Sequence, residues 1–272
     1  MIFDIQRGSF VDGPGVRTTV FFKGCNLKCA WCHNPEGILP QKQMMVFKNR
    51  CIGCGKCEKI CPNTFEKCDF CGKCVTFCPQ NAREITGTES SVQEILKTVL
   101  KDKDYYGKDG GVTFSGGECM LQIELLKSLL IECKKNGINT AVDTAGHLPF
   151  SYFEEILPYT DIFLYDLKSL DNKIHKMYVG VDNSLILENL KKLLNKKARI
   201  WVRIPLIEGI NSSDKQIQEA RKFFDKYGHP EKIELLPYHS MGLHKYAALG
   251  LGHSEFTAPS KEKIESLKKL FD

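Results

Sequence analysis

Three cysteines, Cys25, Cys29 and Cys32, stand within eight residues in the order Cys-x3-Cys-x2-Cys. Thiolates at that density are metal ligands. Three of them cannot close a four-iron cube, because a 4Fe–4S cluster takes four ligands and one iron is then left open to a small molecule. Zinc is the competing reading. It is normally held by paired Cys-x2-Cys halves with four ligands, and the x3-then-x2 spacing fits that poorly.

The chain has 13 cysteines, eleven of them between Cys25 and Cys78. In a reducing compartment clustered thiols are better read as ligands than as disulfides. Cys51-x2-Cys54-x2-Cys57-x3-Cys61-Pro62 is followed by Cys68-x2-Cys71-x2-Cys74-x3-Cys78-Pro79, an internal duplication. This matches the bacterial ferredoxin run, in which the fourth cysteine of each half ligates the other half's cluster. One cube is then expected on Cys51, Cys54, Cys57 and Cys78, the other on Cys68, Cys71, Cys74 and Cys61. Gly53, Gly55 and Gly72 would let backbone N–H groups approach the sulfides. The stretch has almost no apolar core, so the clusters would be its core. A pair of zinc sites on the same eight thiolates fits the doubled spacing badly. Cys119 and Cys133 lie in or beside an apolar helix and read as buried packing.

The remaining sequence must position these thiols. Val16 to Lys23 is β-branched and aromatic and reads as the first strand, running into the cysteine loop. Further strands are expected at 112–115, 140–143, 162–166, 199–204 and 232–236. Helices are expected to about Lys101 behind the capping box Ser91-x2-Glu94, and at 121–136, 151–157 and 184–196. Another should run from Ser213-x2-Gln216 to Tyr227, and a last one over 261–271. Six alternating units imply a parallel sheet in a partial (βα)6 barrel, two units short of a closed one. The expected layout is a barrel from 1–45 and 84–272 with a ferredoxin-like insert at 46–83.

In such barrels chemistry gathers where the strands end. Here those ends carry Ser115-Gly116-Gly117-Glu118, Asp143-Thr144, Asp166-Leu167-Lys168, Arg203 and Tyr238-His239. Gly116 and Gly117 would bring backbone carbonyls against a ligand ammonium, with Glu118 adding charge-assisted hydrogen bonds. Asp143 and Asp166 could serve the ligand or a hard cation, or simply form salt bridges. Lys168 and Arg203 could neutralise a ligand carboxylate or hold Asp143 and Glu118 in place.

Taken together, these residues give the chain a broad resemblance to the radical S-adenosylmethionine (SAM) activating enzymes of glycyl radical enzymes, of the pyruvate formate-lyase activating type. The likeness rests on Asp12-Gly13-Pro14-Gly15-Val16-Arg17, the cysteine loop through His33-Asn34 and Ser115-Gly116-Gly117-Glu118. It continues through Asp143-Thr144, Asp166-Leu167-Lys168, Trp201-Val202-Arg203, Glu234 to His239 and His244-Lys245-Tyr246 to Gly250. The insert is absent from the minimal type and typical of activases for other glycyl radical enzymes. The resemblance implies SAM chelated to the open iron and held by Asn34, Gly116, Gly117, Glu118, Asp143, Lys168, Arg203 and His239. It implies three 4Fe–4S clusters in all and a monovalent cation near Asp143, Thr144 and Asp166. Leu164 departs from the type, whose methionine there gives only a main-chain oxygen. The implied reaction splits SAM with a low-potential electron from flavodoxin or ferredoxin. The 5′-deoxyadenosyl radical then takes hydrogen from a glycine Cα in a C-terminal loop of a partner glycyl radical enzyme.

The bulk numbers fit that reading. A net charge of +5 on 38 basic and 33 acidic residues, with no basic run interleaved with aromatics, argues against nucleic acid. No window approaches a membrane span, and Met1 to Arg7 lacks a signal peptide's layout. A cytoplasmic monomer is expected. A radical SAM enzyme for a small molecule is the first alternative. A ferredoxin fused to a binding barrel is the second, and it leaves Cys25, Cys29, Cys32 and Gly116-Gly117-Glu118 unexplained.

Overall fold

The computed structural model describes residues 1–271. Its elements in chain order are β1 (Ile2–Ser9), β2 (Arg17–Phe22), β3 (Gln43–Val46), α1 (Lys56–Ile60), α2 (Lys73–Thr76), β4 (Arg83–Thr86), α3 (Val92–Leu100), β5 (Gly111–Gly116) and α4 (Ile123–Lys135). They continue as β6 (Asn139–Thr144), α5 (Phe150–Ile156), β7 (Ile162–Asp166), α6 (Asn172–Val179), α7 (Ser184–Asn195), β8 (Ile200–Leu206), α8 (Asp214–Tyr227), β9 (Lys232–Pro237), α9 (Leu243–Leu249) and α10 (Lys261–Lys268). Among the described residues no helix is long and apolar enough to cross a membrane.

The main sheet has seven strands in the order β1-β2-β5-β6-β7-β8-β9. The six expected strands are all present and pair in parallel from β2 to β9. The expectation missed β1, which pairs antiparallel with β2 at the edge. Its mixed sequence hid it, since Asp4, Gln6 and Arg7 keep this edge polar, as exposed sheet edges tend to be. It also missed the short helices α6 and α9, both of which prove to brace the cysteine loop. The capping boxes at Ser91/Glu94 and Ser213/Gln216 are formed as read.

Strand periodicity sorts the side chains into two layers. On the outer face Val20, Phe22, Val112, Phe114, Val142, Phe163, Tyr165 and Val202 pack under the helices in one large core. On the inner face Ala141, Ile162, Leu164 and Trp201 form a small apolar cluster. Beneath it the fully buried Arg17 donates to Thr113 Oγ1 at 2.6 Å, Val112 O at 2.7 Å and Asn139 Oδ1 at 3.1 Å. Burial pulls that guanidinium down to about 10. A Cβ at Gly15 would lie 2.4 Å from Gly110 N, which requires the bare turn at this end of the barrel.

Between Phe47 and Ala82 the chain leaves the barrel, bracketed by the antiparallel pair β3–β4 in which Val46 faces Arg83. The two faces of that pair have different work. Met45 and Phe47 pack with Ala248 of α9, while Met44 and Val46 face the cysteine run.

Candidate functional site

The cysteine loop leaves β2 and is pinned on both sides. Gly24 N and Cys25 N donate to Gly37 O and Ile38 O at 2.8 and 2.9 Å. Lys28 N and Ala30 N donate to Val179 O and Tyr178 O of α6 at 3.0 and 2.8 Å. Trp31, Leu27 and Val179 bury one flank of the loop against Tyr238 and Ile207. The last cysteine is fixed by Tyr246 of α9, whose hydroxyl donates to Cys32 O at 3.0 Å. Burial pushes the thiols of Cys25, Cys29 and Cys32 up to about 12, 11 and 11, and the Lys168 ammonium opposes that rise at all three. Burial thus disfavours three thiolates here, a cost that a metal centre replacing their protons would offset. The donor set suits an iron cube with one iron not ligated by the protein.

The strand ends carry a network of charged side chains beside this loop. Asp143 accepts from Ser115 Oγ at 2.6 Å and pairs with Arg203. Arg203 Nε donates to Asp166 Oδ1 at 3.1 Å, and Lys168 Nζ to Asp166 Oδ2 at 2.9 Å. The side chains of Asp143 and Arg203 are 12% and 11% exposed, so the chain is dry enough for its charges to matter. Burial raises Asp143 above its ordinary value despite Arg203. It opposes ionisation of Asp166 too, yet Lys168 and Arg203 together hold that carboxyl below its ordinary value. Burial works against the Lys168 ammonium as well, and Asp166 with the nearby cysteines outweighs it.

Three expectations change in detail. Glu118 does not present its carboxylate to a ligand: it is 1% exposed and accepts from Thr144 Oγ1, Ala145 N and Met120 N at 2.9, 3.1 and 3.3 Å. Burial raises it to about 7. It ties the turn after β5 to the turn after β6. Gly116 and Gly117 are bare because backbone lies against them: a Cβ would fall 2.3 Å from Phe22 N at the first and 2.3 Å from Gly24 O at the second. The expected cation position is met by the chain's own groups. Asp143 and Asp166 face Arg203 and Lys168, and the Thr144 hydroxyl donates to Glu118.

Asn34 accepts from Lys245 Nζ at 3.0 Å, and Lys245 also pairs with the buried Glu36. His239 is exposed and stacks on His33 with ring centroids 3.7 Å apart. Burial, followed by His239, takes His33 down to about 4, so its neutral ring donates from Nε2 to His239 O at 2.8 Å. Ser115, Lys245 and Tyr246 were legible only as parts of longer motifs. Their spacing from the cysteines carries no signal of contact.

The eight cysteines of the insert divide between two adjoining cavities. Cys61, Cys68, Cys71 and Cys74 line one of about 330 Å³. Cys51, Cys54, Cys57 and Cys78 line the other, of about 220 Å³. Each half opens its helix from a left-handed glycine, Gly55 at φ 67° before α1 and Gly72 at φ 79° before α2. A Cβ would meet nothing within 4 Å at Gly53 or Gly55, so backbone angle rather than crowding asks for glycine there. Cys119 and Cys133 are fully buried in the core.

A model of the radical SAM superfamily matches residues 60–223, and one of a 4Fe–4S binding domain matches 44–63. The chain is 41% identical to the trans-4-hydroxy-L-proline dehydratase activating enzyme of Clostridioides difficile, over 100% of this chain and 96% of that one. It is 39% identical to the choline trimethylamine-lyase activating enzyme of Oleidesulfovibrio alaskensis, again over 100% and 96%. A domain of a pyruvate-formate lyase-activating enzyme from Bacteroides vulgatus superimposes with a TM-score of 0.52 at 34% identity, covering 60% of this chain and 92% of that one.

Proposed function

This chain belongs to the radical SAM superfamily and, within it, to the glycyl radical enzyme activating enzymes, and we propose that Cys25, Cys29 and Cys32 hold the 4Fe–4S cluster of that chemistry. Bound there, such a cluster would supply the electron that splits SAM into methionine and a 5′-deoxyadenosyl radical, which would take one hydrogen atom from a glycine Cα of a partner glycyl radical enzyme to give 5′-deoxyadenosine and a glycyl radical. The observation that carries the residue assignment is the convergence of three half-buried cysteines and Lys168 at the rim where β5 to β8 end.

The chain's own residues bind and orient. Lys168 and Arg203 offer positive charge to the SAM carboxylate, with Asp166 and Asp143 holding them in place. Asn34, His239 and the backbone of Gly116 and Gly117 line the approach to the cluster, and Glu118 supports them by fixing the turn at Thr144. A monovalent cation at Asp143, Thr144 and Asp166 would have to share oxygens with these pairs. The insert, residues 46–83, holds two further cubes on the crossed ligand sets that line its cavities. They relay electrons from a flavodoxin or ferredoxin, and the protein acts as a cytoplasmic monomer on a C-terminal glycine loop.

The test is direct. Reconstituted wild-type protein, reduced in the presence of SAM and a glycyl radical enzyme, should give 5′-deoxyadenosine and a glycyl radical signal. Replacing Cys25, Cys29 and Cys32 with alanine should abolish both while leaving about eight of about twelve irons. Cleavage at the wild-type rate in that variant would overturn the assignment.

A further inference from the structure

The two cysteine cavities of the insert share two lining residues, Val46 and Arg83. These face each other across β3–β4, so one rung of a short ladder borders both cavities. Val46 is apolar, which makes Arg83 the one charged side chain common to both among the described residues. The other charged lining residues are split: Asp69 borders the Cys61/68/71/74 cavity, and Lys56 and Glu58 the Cys51/54/57/78 cavity. Arg83 does not swing freely. Its guanidinium carbon lies 4.0 Å from the centroid of the Phe65 ring, a cation–π seat. Arg83 lines one cavity with Cys74 and the other with Cys78, one cysteine from each crossed set, and its charge favours the thiolate of both.

We propose that Arg83 is a shared positioning residue for both cubes of the insert, its permanent charge favouring the reduced form of each. The inference rests on the two-cube reading of the insert. Reduction adds one electron and no proton, so each cube with its four thiolates becomes one unit more negative. A half-buried guanidinium offsets that charge, and the offset is screened less than it would be in open solvent. Charge and hydrogen bonding around the sulfurs are the levers by which a protein sets such potentials. One residue acting on both cubes moves their potentials in the same direction, so the driving force for transfer between them changes less than either potential does. Lys56, Glu58 and Asp69 each border one cavity and so act unequally on the two cubes.

The experiment uses the full chain carrying Cys25→Ala, Cys29→Ala and Cys32→Ala, which removes the signal of the first cluster. Arg83→Gln and Arg83→Lys are made in that parent, loaded with iron and sulfide, and titrated with dithionite while EPR follows the two cubes. With about eight irons retained, Arg83→Gln should shift both potentials to more negative values. A tenfold change in each reduction equilibrium, about 59 mV for a one-electron couple, is the expected size. Arg83→Lys should restore most of the shift. Unmoved potentials, or movement of one cube alone, would overturn the proposal. If Arg83→Gln sheds iron, loss of both cubes with retention in Arg83→Lys supports it, and loss of about four irons, one cube only, overturns it. A parent that holds about four irons or fewer would sink the two-cube reading, and the proposal with it.

Discussion

Tyr246 reaches 214 residues back along the chain to donate its hydroxyl to the carbonyl of Cys32. The last cysteine of the loop is thus held by a helix that also packs on β3, through Ala248 against Met45 and Phe47. The same helix supplies Lys245 to Asn34 and Glu36. The rim, the loop and the base of the insert therefore share one brace.

Tyr246→Phe removes the hydrogen bond without emptying the site. A single bond of this kind contributes about 1 kcal/mol, so the fold should survive. We expect the first cluster to bleach several-fold faster under a chelator, with the insert's iron unaffected. Equal bleaching in both proteins would show that Tyr246 does not hold the loop.

Arg203→Met leaves Asp143 and Asp166 facing each other with Lys168 as their remaining partner. Removing one member of a buried pair costs about 3 kcal/mol. Urea unfolding should register that loss, and adding Asp143→Asn should recover part of it. A double variant no more stable than the single one would argue against the Asp143–Arg203 link.

Gly117→Ala places a Cβ 2.3 Å from Gly24 O and 2.5 Å from Gly37 O, on the backbone that holds Cys25. We expect iron to fall from about twelve to about eight, with the insert's clusters intact. Full iron content together with normal SAM cleavage would mean that the turn yields without disturbing the loop.

Cys54→Ala with Cys71→Ala removes one ligand from each cavity of the insert. If the insert relays electrons, activation with a protein donor should slow strongly while dithionite, which can meet the first cluster directly, loses less. Glycyl radical yield with each reductant, at matched iron in the first site, separates this from a docking or folding role. An equal drop in both assays is the outcome of the latter.

Asp102 ties the edge strand β1 to the end of α3, accepting from Arg7 and from Thr18 Oγ1. Arg7 lowers its carboxyl, with burial opposing and Thr18 assisting. The stabilisation is therefore complete above the unfolded value of about 3.9 and disappears as pH falls through the folded value. Asp102→Asn should melt below the wild type at neutral pH, and the gap should close in acid. A gap independent of pH would locate the effect in packing rather than charge.

The chemistry of this protein was written locally. Cysteine spacing, the doubled run with its prolines, the two capping boxes and six apolar strands each depend on neighbours within a few residues. The grouping of the insert's cysteines around two cavities could be read because the duplicated spacing constrains which of them meet. Other features needed the fold. The polar edge strand β1 exists because β2 offers it a partner. Glu118 faces Thr144 and Ala145 instead of the mouth because the turn after β5 is buried beneath it. Arg203 lies between two aspartates because parallel register sets Asp166 opposite it and Asp143 one strand further on. Tyr246 finds Cys32 only after nine strands and eight earlier helices have been laid down. Local spacing fixes which atoms can bind iron, while the direction of a side chain and the partner it meets across hundreds of residues follow from how the layers pack.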